Sequence, residues 1–236
     1  MDWWIILIIV VVVSVLFCLL LAVANFSGER FMERYQEMNN HFSKKKITPF
    51  EFIMKINAKY FNNSLRIVQV SSVATDCYSK GKLFLSTDTI QKSTLASYTI
   101  IAHEMGHALQ DKTGKKLKKL SALRRTGKTL GVFMLPSIIA GVVLLIIGRN
   151  LLYWGIGLIA VGVLIFLLAL FIKLRTISIE KDASKNAVIF LTEFLSEDEV
   201  KSCKAFLYDA RLTYWAEFLR ICLCWTTMSK KTKLFN

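Results

Sequence analysis

The chain has 236 residues, 54% of them hydrophobic, with a mean hydropathy of +0.45 and a formal net charge of +14. This excludes a disordered chain, which would be poor in Leu, Ile, Val and Phe, and two prolines with eleven glycines exclude collagen-like and low-complexity architectures. The apolarity is concentrated: the uncharged stretches 3–24, 131–148 and 151–172 hold 62 residues, and the other 174 are polar enough for one modest water-facing domain. The expectation is a mostly α integral membrane protein with a soluble part.

Residues 3–24 are preceded by no basic side chain, and 22 apolar residues exceed the roughly 7–15 of a signal-peptide core. They suffice to cross a hydrocarbon layer of roughly 30 Å, with Trp3 and Trp4 at headgroup level and Glu29, Arg30 and Arg34 beyond the other end. The segment is read as an uncleaved anchor. Helical periodicity follows around residues 30–42 and 49–57, then a β-rich run at 65–73 and a shorter strand at Lys82–Ser86. Ser93 or Thr94 caps a long helix running to about Gln110, with Gly114 as its stop. The stretches 131–148 and 151–172 are separated only by Arg149 and Asn150, which predicts a tight helical hairpin. Gly148, Asn150, Tyr153 and Trp154 supply its turn and interface residues, and Pro136 is a potential kink. Near the C-terminus Trp215, Phe218, Leu219 and Cys222 recur at helical spacing, with Glu217 and Arg220 on other faces. Those charges, and Lys230, Lys231 and Lys233, favour a helix lying at the membrane interface over a fourth span.

Residues 25–130 carry 19 basic and 8 acidic side chains and residues 173–236 carry 11 and 8, whereas the hairpin turn has Arg149 alone. The positive-inside rule puts both hydrophilic segments in the cytoplasm, on the same side of three crossings. Five cysteines without a C-x-x-C pair agree with a reducing compartment. The cluster Lys115, Lys116, Lys118, Lys119, Arg124, Arg125 and Lys128 abuts the second span and suits anionic lipid headgroups. No aromatic side chains interleave with it, which argues against nucleic acid.

The chain has three histidines, and two of them form His103-Glu104-Met105-Gly106-His107 within the long helix. Four residues apart, about 40° from alignment, both imidazoles leave one helical face and can share a tetrahedral cation, the pattern of a single zinc site. Glu104 sits one position around, where its carboxylate reaches water beside the metal rather than the metal. A catalytic zinc needs a third protein ligand and an open position. His41 lies in a polar, loop-like stretch; Glu180, on a helical segment just after the third span, is the better candidate. The rival reading is a zinc-stabilised membrane scaffold that cleaves nothing, for which a closed site with a fourth ligand such as Cys77 is expected.

The segments Asp76-Cys77-Tyr78, Leu83-Phe84-Leu85-Ser86, Ala102-His-Glu-Met-Gly-His-Ala-Leu-Gln110, Ser178-Ile-Glu180-Lys-Asp182-Ala-Ser184 and Ala210-Arg-Leu-Thr-Tyr214 resemble, in order and spacing, the YugP-like family of "putative neutral zinc metallopeptidases". That family is similar to the HtpX-type and CAAX-prenyl gluzincin endopeptidases. The resemblance implies a small α+β zincin-like cytoplasmic domain, with His103, His107 and Glu180 as zinc ligands and Glu104 as general base. It also implies hydrolysis of a peptide or membrane-protein substrate, and makes Tyr214 and Arg211 the candidate oxyanion donors. Lys82–Ser86 would be the edge strand that pairs with an extended substrate. The implied layout is an anchor at 1–24, a metallopeptidase domain at 25–130, a hairpin at 131–172 and a helical segment at 173–236 that completes the metal site. Departures from the family pattern include Cys77 where His is usual, Ser79-Lys80 where Asp-Pro follows the Tyr, and Thr48-Pro49-Phe50 in place of a Ser-Gly pair. Ser184 stands four residues after Glu180, where HtpX-type enzymes place an Asp, so no carboxylate supports a histidine from that position; Asp182 is the alternative, at a different place on the helix.

Overall fold

A computed structural model describes residues 3–45, 47–71, 76–114 and 117–222. The chain is mostly helical, with one small sheet. In order it forms α1 (Trp3–Asn40), α2 (Pro49–Phe61), β1 (Arg66–Val70), β2 (Cys77–Ser79), β3 (Lys82–Ser86), α3 (Thr87–Gln91), α4 (Leu95–Lys112), α5 (Leu117–Ile147), a 3-10 turn (Arg149–Leu151), α6 (Leu152–Phe194) and α7 (Glu197–Cys222). It divides into two compact units, Arg30–Leu120 with Ile177–Leu212, and Met1–Glu29 with Ser121–Thr176 and Thr213–Met228.

The first unit holds the sheet. Its core joins Phe52, Ile53 and Ile56 of α2, Leu83 and Leu85 of β3, Tyr98, Ile101 and Met105 of α4, Phe190 and Leu191 of α6, and Phe206 of α7. Local chemistry sets the helix boundaries. Thr48 and Glu51 form a reciprocal capping box ahead of α2, and Pro49 occupies its first turn. Thr94 caps α4 by accepting from the Ser97 N–H, and Gly114, at φ 80°, follows its end as the sequence predicts. The buried Asn57 side chain donates to the Leu65 carbonyl and accepts from the Leu65 N–H, and so leads the chain into β1. Two arginines of α1, Arg30 and Arg34, converge on the buried Asp209 of α7 at 3.1 and 2.6 Å.

The sheet order is β1-β3-β2, with β1 parallel and β2 antiparallel to β3. This corrects the expectation that Lys82–Ser86 is an edge strand. Both of its edges are taken, by Arg66↔Lys82 pairing on one side and Tyr78↔Leu83 on the other. Among the described residues the outer strands of the sheet are β1 and β2. The error arises because β2 is a three-residue strand, Cys-Tyr-Ser, too short to declare itself by alternation. The turn between β2 and β3 consists of Lys80 and Gly81, at φ 50° and 78°, the signs a tight type I′ hairpin requires.

In the second unit α5 and the first part of α6 pack as an antiparallel pair through small residues. A Cβ on Gly141 would lie 2.7 Å from the Gly155 carbonyl oxygen, and one on Gly162 would lie 2.6 Å from Ile138. Such close backbone approach is the usual way apolar helices associate within lipid. Met134, Ala169 and Phe218 form a buried cluster there, with Trp215 and Phe166 against it. Of the C-terminal segment, Phe218 is buried in this cluster and Trp215 packs against it. Arg125–Ile147 and Leu152–Phe194 are both long and apolar enough to cross a membrane. Tyr153 and Trp154, 84% and 72% exposed, lie beside the hairpin turn as belt residues do. Of the basic cluster, Lys115 and Lys116 lie outside the described residues, as do the side chains of Lys118, Lys119, Arg124 and Lys128; Arg125 is exposed.

Candidate metal centre

Helix α4 runs through the middle of the sheet-bearing unit, and nearly every residue from Leu95 to Gln110 is buried. A helix in that position has no solvated face, which accounts for the absence of charge around its motif apart from Glu104. His103 and His107 leave the same side of α4, with ring centroids 4.9 Å apart and planes at 81°. Helix α6 brings Glu180 opposite them. One carboxylate oxygen, Oε2, lies 3.2 Å from His103 Nε2 and 3.5 Å from His107 Nε2.

Gly106 permits this approach. A Cβ there would stand 2.4 Å from the carbonyl oxygen of Ala183, one turn beyond Glu180 on α6. The Asn186 side chain adds a bond across the same gap, donating to the Gly106 carbonyl at 3.3 Å. The second "x" of H-E-x-x-H is therefore a spacing requirement between two helices.

The donor set fits a zinc ion. Bonds of about 2.0–2.2 Å in a tetrahedron put neighbouring ligand atoms about 3.3 Å apart, and the two separations observed here bracket that value. The three ligand atoms lie within 4.8 Å of one another. Among the described residues no fourth protein ligand joins them. Cys77 is outside the group, and burial first, then the Glu104 and Asp76 carboxylates, push its thiol up, away from the thiolate a metal needs. His41 is exposed on a loop, where its carbonyl accepts from the Leu95 N–H.

The backs of both imidazoles are held. His107 Nδ1 lies 3.0 Å from Gln110 Oε1, and the Gln110 amide nitrogen donates to the Ile179 carbonyl at 2.8 Å. His103 Nδ1 faces the Ser184 hydroxyl at 3.5 Å, and that hydroxyl donates to the Glu180 carbonyl at 2.9 Å. Ser184 thus stands behind His103 although it has no carboxylate. Burial alone would lower His107, but the Glu180 carboxylate more than reverses this and the imidazole is pushed up to about 9.

Glu104 is buried beside the pair, and its Oε2 accepts the Tyr78 backbone N–H at 2.8 Å. Burial raises its carboxyl above the ordinary range, against the opposing pull of His107 and His103. The Tyr78 amide that holds it belongs to β2 and is turned away from β3, so the outer edge of β2 borders Glu104. The Tyr78 ring is anchored separately: its hydroxyl donates to Asp111 at 2.8 Å and accepts from the Gly81 N–H at 3.0 Å.

Of the candidate oxyanion donors, Arg211 stacks over the Tyr208 ring at 5.2 Å and makes no hydrogen bond or ion pair with the triad among the described residues. Tyr214 belongs to the other unit, under the Lys173 ammonium at 5.2 Å. Sequence reasoning missed Gln110, although it follows His107 at the i+3 spacing that puts both on one helix face.

The family described as "Putative neutral zinc metallopeptidase" matches residues 4–228. The chain is 26% identical over 200 residues to "Putative membrane protease YugP" of Bacillus subtilis (strain 168), covering 83% of this chain and 84% of that one. No solved structure matches it significantly.

Proposed function

Because the chain belongs to the family of "putative neutral zinc metallopeptidases", we propose that it is a membrane-embedded, zinc-dependent endopeptidase, with one zinc held by His103, His107 and Glu180. The observation that carries this reading is the three-ligand cluster with Glu104 beside it and no fourth ligand among the described residues. A scaffold has no use for an open position or for a buried carboxylate next to it.

When bound, zinc lowers the pKa of water and polarises a carbonyl. The rest of the chemistry belongs to the chain. Glu104 takes a proton from the attacking water at its carboxylate and delivers it to the leaving amine nitrogen. An extended substrate pairs along the outer edge of β2, where the Tyr78 amide is released from Glu104 as the site fills. Arg211 and Tyr214 are the proposed donors to the oxyanion; for Arg211 this requires its guanidinium to leave the Tyr208 ring. The substrate is a peptide or membrane protein.

The test uses the purified full-length chain in detergent. Wild type is expected to hold about one zinc and to cleave peptide only while loaded. His103→Ala and Glu180→Ala should each lose zinc and turnover, whereas His41→Ala should keep both. Full zinc retention in Glu180→Ala would eliminate it as third ligand, and a loaded wild type that leaves every peptide intact would favour the scaffold.

The layout proposed with this function is an anchor at 1–24, a membrane hairpin at 131–172, and hydrophilic segments 25–130 and 173–236 in the cytoplasm, as the Lys and Arg distribution requires. Residues 115–128 would then meet anionic headgroups. With single cysteines placed in the hairpin turn and near Lys201 of a cysteine-free background, an impermeant thiol reagent on intact cells should label the turn. Labelling near Lys201 but not in the turn would reverse the orientation.

A further inference from the structure

We propose that Gln110 is a positioning residue that fixes the tautomer of His107 and ties that imidazole to the helix carrying Glu180. The inference rests on the zinc reading but concerns a side chain outside the ligand set. The hydrogen bonds leave little freedom. The Ile179 carbonyl can only accept, so the Gln110 amide nitrogen must face it, at 2.8 Å. That orientation leaves Oε1, which also only accepts, 3.0 Å from His107 Nδ1. Nδ1 must therefore carry the hydrogen, and the lone pair of the neutral ring falls on Nε2, the atom turned toward Glu180. Gln110 is 1% exposed, so water does not compete for either bond. Its partner Ile179 immediately precedes Glu180, so one amide spans the two helices that supply the ligands.

The Ser184 hydroxyl stands farther from His103 Nδ1, at 3.5 Å, and already donates to the Glu180 carbonyl. Where a ligand histidine is oriented by an outer partner, loss of that partner typically lowers metal affinity by roughly 10–100-fold. That loss is expected at Gln110 and a smaller one at Ser184.

The experiment compares Gln110→Met, Gln110→Glu and Ser184→Ala in the full-length protein in detergent. Zinc affinity is measured by competition with a chromophoric chelator, and the cobalt-loaded form is followed by its visible absorption. Methionine keeps the shape and removes the acceptor, so affinity should fall by roughly 10–100-fold and the cobalt bands should shift. Glutamate keeps an acceptor for Nδ1 but, when ionised, has no donor for the Ile179 carbonyl, so Gln110→Glu should lose less affinity than Gln110→Met, and so should Ser184→Ala. A purely packing role gives the opposite ranking, because Met fits the space while Glu buries a third carboxylate beside Glu104 and Glu180. That ranking, or a Gln110→Met protein with wild-type affinity and spectrum, would overturn the proposal. Should Gln110→Met not fold, Gln110→Asn, whose shorter arm does not span both partners, carries the same expectation. A wild-type baseline that takes up no zinc would instead refute the metal reading, and is distinguishable because it appears before any variant is made.

Discussion

Gly106→Ala is expected to give a folded protein whose zinc affinity is lower by on the order of 100-fold or more, beyond what loss of an outer hydrogen-bond partner brings. The added methyl would stand 2.4 Å from the Ala183 carbonyl oxygen and 3.1 Å from its carbon. Both are backbone atoms of α6, so no side chain can swing away, and the helices must separate by the better part of an ångström. Glu180 sits three residues before Ala183 and moves with it, whereas ligand distances tolerate about 0.2 Å. Overpacking of this kind costs about 1–3 kcal/mol of stability, a loss the core of this unit can survive. Metal content and a thermal melt of the metal-free protein separate the two effects. Wild-type zinc binding by Gly106→Ala would mean that α6 yields without displacing Glu180, and that Gly106 does not set the site's dimensions.

Glu104→Gln is expected to keep zinc and fold while turnover falls by about 10²–10⁴-fold, the usual contribution of a general base. Glutamine has the same shape, and its carbonyl oxygen can accept the Tyr78 N–H that Glu104 accepts now, so the surroundings need not move. What is lost is a group able to take a proton. Comparing peptide cleavage by the two purified proteins, and the membrane proteins of cells producing each, measures that loss. If a verified substrate were cut at the wild-type rate by Glu104→Gln, the hydrolase assignment would be wrong even with zinc fully bound.

Much of the centre is legible in the sequence because helical geometry is local. H-E-x-x-H puts two imidazoles on one helix face with a carboxylate beside them by spacing alone, and Thr94 and Gly114 bound the helix by capping chemistry. Glu180 requires a step through space, which the hairpin supplies by returning the chain. The rest was hidden for identifiable reasons. β2 has three residues and no alternation, so β3 looked like an edge although it is central. α6 continues unbroken from Leu152 to Phe194, because the end of an apolar run changes the solvent a helix prefers without ending the helix. The packing of Trp215 and Phe218 against Met134, Phe166 and Ala169 was likewise hidden, because a pattern gives an apolar face but not its partner. Gln110 and Ser184 are ordinary residues in a sequence, and their work behind the imidazoles depends on which carbonyls α6 and α4 bring within reach.

The order β1-β3-β2 also bears on how the chain assembles in time. β2 and β3 are joined by the two-residue turn at Lys80 and Gly81, so they can pair as a local hairpin within about 1–10 µs. β1 joins in parallel on the far side, through Arg66↔Lys82, and that pairing closes a longer loop whose entropy must be lost before any contact repays it. The strand bordering Glu104 is thus laid down early by its own turn, and the opposite edge closes the sheet late.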